Sequence, residues 1–177
     1  MRQGGFAHLR NQPEECCAWL NEELGQNRMH VCVVLHDENM TALQVTFGCV
    51  KFANDTYPED RANIVVHANA AIEAVPLNAE RRSWKHRFPH SSVKQFIETG
   101  EILTGRLCLW YPRDPPKLRW AWPDGLDRYI RKVQAHLLAE EYARRHDGNW
   151  PAEDVPHGER PDGKPHPILT TELRNAK

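Results

Sequence analysis

Apolar residues recur along this chain with two different periods. Between Pro13 and Gly25, Cys17, Leu20 and Leu24 fall three and four positions apart, behind Pro13, Glu14 and Glu15 and ahead of Gly25. Proline and carboxylates in a first turn, with glycine at the close, predict a short amphipathic helix whose apolar side docks on a sheet. The period then shortens. Met29 to Leu35 is dominated by valine, Thr41 to Phe52 alternates apolar and polar residues, and Ala62 to Val75 contains Ile64-Val65-Val66. Such β-branched, alternating runs predict strands. The polar breaks at His36-Asp37-Glu38-Asn39 and Asn54-Asp55-Thr56-Tyr57-Pro58 predict the turns of an antiparallel meander.

Helical spacing returns further on. Ser91-Ser92 can cap a helical turn through Val93, Phe96 and Ile97 that stops at Thr99-Gly100. After the aromatic segment of Trp120 and Trp122, Asp124 or Gly125 opens the strongest helix. Leu126, Tyr129, Ile130, Val133, Leu137, Leu138 and Tyr142 form its apolar side, opposite Arg131, Lys132, Glu140, Arg144 and Arg145. Beyond Trp150 the prolines at 151, 156, 161, 165 and 167 alternate with charges and large apolar side chains become scarce. The expected organisation is one α+β domain over residues 1-150 and a Pro-rich strap or tail over 151-177.

At 177 residues the chain builds one core. Its 23 Lys and Arg against 24 Asp and Glu leave a net charge of −1, so no global field favours nucleic acid or an acidic membrane. Neither a signal-like N-terminus nor a run of about 18 apolar residues occurs, and a cytoplasmic location is expected. The five cysteines, Cys16, Cys17, Cys32, Cys49 and Cys108, are odd in number and lack CxxC spacing, which reads as free thiols. Cys16 and Cys17 are adjacent on the helix. Cys32 and Cys49 sit in apolar strand-like runs, where cysteine is a small buried hydrophobe. A metal site built from His86, His90, His136, His157 or His166 finds no HExxH pattern or cysteine pair to complete it, so neither metal nor cofactor is expected.

Cys108 lies in Gly105-Arg106-Leu107-Cys108-Leu109-Trp110-Tyr111-Pro112, a short apolar run opened by glycine and closed by proline. Composition favours a core thiol there over a nucleophile. Upstream stands Phe88-Pro89-His90. Together the two segments resemble the active-site region of ubiquitin-conjugating enzymes, and more closely that of their bacterial relatives, in which a His-Pro-Asn or His-Pro-His tripeptide precedes a cysteine in a Leu-Cys-Leu run. Phe88 departs from the first histidine of that tripeptide, and the segment from His90 to Cys108 is longer than in eukaryotic members. Gly148-Asn149-Trp150 and Pro156-His157-Gly158 resemble the end of the bacterial family, so the similarity spans about Pro58 to Gly158.

The resemblance implies a ubiquitin-conjugating fold and a reaction. Cys108 would accept a partner protein's C-terminal carboxyl group as a thioester and release it to a target-protein amine. The partner would be a ubiquitin-like protein or, as in the similar conjugating components of CBASS antiphage systems, a cGAS-like nucleotidyltransferase, with an activating enzyme supplied in trans or bypassed. His90, held by Pro89, would stabilise the oxyanion, act as a base or organise the loop. Asp114 or Asp124 would orient the amine, or serve as turn and cap residues. Tyr111 would shield the thioester, or pack. Two other classes stand beside this one: a cysteine peptidase using Cys108 with His90 or His157, and a non-catalytic docking module of the same fold.

Overall fold

A computed structural model describes residues 3–52, 55–77, 87–88, 106–107, 109 and 119–146. Two helices come first, α1 (Phe6–Asn11) and α2 (Pro13–Gly25). The expected amphipathic helix is thus present with Pro13 in its first turn, and Cys16, Cys17, Leu20 and Leu24 are its buried side chains. α1 has no counterpart among the expected elements. Six residues carry little helical periodicity, and tertiary contacts hold this helix: Leu9 is fully buried in the core and Arg10 donates to Thr41 Oγ1 at 3.0 Å.

The meander is antiparallel throughout. β1 (Met29–His36), β2 (Met40–Phe47), β5 (Asp60–His67) and β6 (Ile72–Pro76) form a four-stranded sheet in the order β1-β2-β5-β6. The first turn falls where the polar break predicts it. Asp37 Oδ1 accepts the N–H groups of Asn39 and Met40 at 2.7 and 2.8 Å, which holds its carboxyl below the usual carboxylate range. Arg10 of α1 reaches the same turn, donating to Thr41 Oγ1 and to the carbonyls of Asp37 and Glu38.

Three expectations about the strands need correction. Thr41–Phe52 is not one strand, because β2 ends at Phe47 and β3 (Val50–Phe52) begins after a break. At the break Gly48 still lies against Arg28: its N–H donates to the Arg28 carbonyl at 2.8 Å, so close that a Cβ there would stand 2.7 Å from the same oxygen. The expected turn at 54–58 contains instead a short strand, β4 (Asp55–Tyr57), which folds back on β3. Likewise Ala62 to Val75 divides into β5 and β6, around a turn in which Ala70 has φ +66°.

One core joins helices and sheet. Pairing sets Val31, Val45 and Ala62 side by side, and next to them Val33, Leu43, Ile64 and Ala74, so the period-two pattern places one apolar row after another on the inner face. These residues cluster with Leu20 and Leu24 of α2 and with Leu126, Tyr129, Ile130, Val133 and Leu137 of α3 (Leu126–Arg145). At its outer edge β1 meets α2 through one side chain. Asn21 accepts the Val31 N–H at 2.8 Å and donates to the Val31 carbonyl at 2.9 Å, occupying the place of a fifth strand.

Candidate active site

The chain reaches the Cys108 region through a two-residue ladder. β7 (Arg87–Phe88) pairs antiparallel with β8 (Arg106–Leu107), with Arg87 opposite Leu107 and Phe88 opposite Arg106. Because the pairing is antiparallel, the chain leaves β7 toward Pro89-His90 at one end of the ladder and leaves β8 toward Cys108 at the other. β8 also lies against β6 at the end of the main sheet. Leu107 and Leu109 are both buried, 5% and 9% exposed, and belong to the common core. Residues two apart in an extended segment share a face. The backbone on either side of Cys108 is thus tied to the hydrophobic interior.

Cys108 itself lies outside the described residues, as do His90, Asp114, Tyr111 and the expected helical turn at 91–100. The boundary expected at residue 150 and the 151–177 strap also fall outside them. Of the candidate site residues, Asp124 is described. It closes the 3₁₀ turn Trp122–Asp124 that leads into α3: Asp124 Oδ2 accepts the Ala121 N–H at 2.9 Å, and its Oδ1 stands 3.9 Å from Arg128. The carboxylate thus reaches back across the 3₁₀ turn to the residue that precedes it, not forward to the N–H groups of α3. The flanking tryptophans are fixed by their indole N–H groups, Trp120 to the Gly125 carbonyl and Trp122 to the Ala70 carbonyl, each at 2.8 Å. Trp120 further meets Tyr129 edge-on, with centroids 5.0 Å apart.

The other four thiols divide by environment. Burial pushes the Cys16 thiol up to about 11, against the pull of a hydrogen bond from the Gly4 backbone. Burial likewise raises Cys17 to about 12, with smaller contributions from the neighbouring Cys16, Glu14 and Cys32 charges. Both are protonated, poorly nucleophilic thiols at neutral pH. Cys32 is half-buried, its sulfur 3.9 Å from the Gln44 carbonyl. Cys49 corrects the expectation of a buried hydrophobe: it is exposed, in the Gly48-Cys49 break between β2 and β3. There the chain leaves the ladder, and the alternation that assigns a face no longer applies.

On α3 one assignment changes. Glu140, expected on the solvent side, is fully buried, and its carboxylate lies 3.4 Å from Nε2 of His136, itself 4% exposed at the side chain. The signal was in the spacing: Glu140 stands three residues after Leu137 and seven after Val133, so it continues the apolar stripe. Glu141, 3% exposed, binds Arg144 and Arg145, and the Arg145 guanidinium also reaches the Thr56 carbonyl and sits over the Tyr57 ring. Among the described residues no three His, Cys, Asp or Glu side chains are grouped to hold a metal ion, and no helix is long and apolar enough to cross a membrane.

These elements define an α+β protein with N-terminal helices, an antiparallel meander and a C-terminal helix. No family model matches the chain, and neither a curated protein nor a solved structure does.

Proposed function

We propose that the protein is a bacterial conjugating enzyme of the ubiquitin type, acting in the cytoplasm and carrying the C-terminus of a partner protein as a thioester on Cys108. What supports this reading is the anchored backbone that leads into Cys108, with β8 paired to β7 and lying against β6. The helix, meander and C-terminal helix around it follow the order of a ubiquitin-conjugating fold. Core burial of Leu107 and Leu109 supports it further, since a carrier cysteine needs rigid backbone on both sides to keep its sulfur presented.

In this mechanism the Cys108 thiolate attacks the carbonyl of an incoming thioester, a new C–S bond forms, and the donor thiolate leaves. A target amine then attacks the same carbonyl. The tetrahedral intermediate places negative charge on oxygen, which His90 stabilises. Collapse expels the Cys108 thiolate, and the nitrogen loses a proton to Asp114, Asp124 or water. Tyr111 limits the access of water to the thioester. The carried protein is a ubiquitin-like protein or a cGAS-like nucleotidyltransferase of an antiphage system.

Incubation with a candidate partner, an activating enzyme and ATP, followed by intact-mass analysis, tests the proposal. Wild-type protein should gain a partner adduct that a thiol reductant removes and that added amine discharges faster than water does. Cys108→Lys should trap the partner as an amide that survives reductant. His90→Ala should slow discharge more than loading, with the loss on the order of 3 kcal/mol expected for one oxyanion donor. Cys49→Ala is the control, because Cys49 is the exposed thiol among the described ones. A reductant-sensitive adduct that persists in Cys108→Ala and vanishes in Cys49→Ala would move the carrier to Cys49. Cleavage of a fusion after the partner's C-terminus without ATP or activating enzyme would establish a peptidase instead.

A further inference from the structure

We draw no further inference here: the strongest candidate, the open groove between the α2–β1 turn and β3 where exposed Cys49 lies with Arg28, Lys51 and Gln134, is a lone cysteine among solvated side chains, with no bound ion or buried polar group to indicate a ligand.

Discussion

Replacing Asn21 with alanine removes the side chain that closes the outer edge of β1, and the cost can be worked from its two hydrogen bonds. The Val31 N–H and carbonyl lose partners at 2.8 and 2.9 Å on a residue that is only 1% exposed. A net hydrogen bond contributes about 1 kcal/mol, and a buried backbone group left without a partner costs about 1–3 kcal/mol. Asn21 is half-buried, so water enters part of the vacated space and holds the sum near the lower end. The expected loss is about 2–4 kcal/mol, or roughly 5–15 °C in Tm for a domain of this size. Urea unfolding followed by tryptophan fluorescence should show a lower midpoint with an unchanged slope. Asn21→Asp keeps the acceptor for the Val31 N–H but turns a carboxylate oxygen toward the Val31 carbonyl, and should lose at least as much at pH 7. An Asn21→Ala midpoint within about 0.5 kcal/mol of wild type would refute the reasoning, since surface changes of no structural consequence fall in that range.

Thiol alkylation in the folded state should modify Cys49 rapidly, Cys32 slowly, and Cys16 and Cys17 only on unfolding; mass mapping after a timed maleimide pulse reads the order. The stabilisation tied to protonated Cys16 and Cys17 is complete below their ordinary value of 9.0 and is lost as pH rises toward about 11 and 12. Unfolding curves between pH 8 and 11 should therefore slope downward, and less steeply in Cys16→Ala/Cys17→Ala. Asp37 acts with the opposite sign, its contribution holding above the usual carboxylate range and fading as pH falls through its lowered value, a dependence that Asp37→Asn should remove. Glu140→Ala, which removes a fully buried carboxylate 3.4 Å from His136 Nε2, should cost about 1–3 kcal/mol, whereas Arg128→Ala at the exposed 3.9 Å pair should cost under about 1 kcal/mol. Gly48→Ala should cost about 1–3 kcal/mol, because its Cβ meets backbone at Arg28 rather than a side chain able to move.

Long, strongly periodic elements were legible without coordinates. α2 and α3 declare themselves by apolar spacing and by their punctuation, Pro13 and Gly25 in one case and Asp124-Gly125 in the other. The Asp37 turn is equally local, because the carboxylate that makes it bonds two and three residues ahead. What escaped depends on approach by distant backbone. Position 48 requires glycine because the Arg28 backbone lies against it, and β4 is paired with β3. Glu140 escapes for a different reason: its charge alone points to solvent, although the helical stripe runs through it and buries it. At the candidate site, local sequence could mark Cys108 and His90 by their proline and leucine settings. Only pairing between β7 and β8 reveals that the strands preceding the two settings meet, and in antiparallel sense, since nothing in residues 88 or 106 alone encodes which partner each will meet.

The amide of Leu126, at the start of α3, donates to the carbonyl of Gly4 at 3.0 Å. Gly4 leaves the ribosome roughly 120 residues ahead of its partner, which at about 5–20 residues per second is a delay of roughly 6–24 s. Over about the last 50 residues of that interval, once β6 has emerged, the α2 face and the meander can meet, but the aromatic and aliphatic side of α3 that joins their core has not been made. The nascent chain therefore holds a half-covered sheet until α3 emerges, which makes completion of α3, rather than formation of the strands, the step that closes the core.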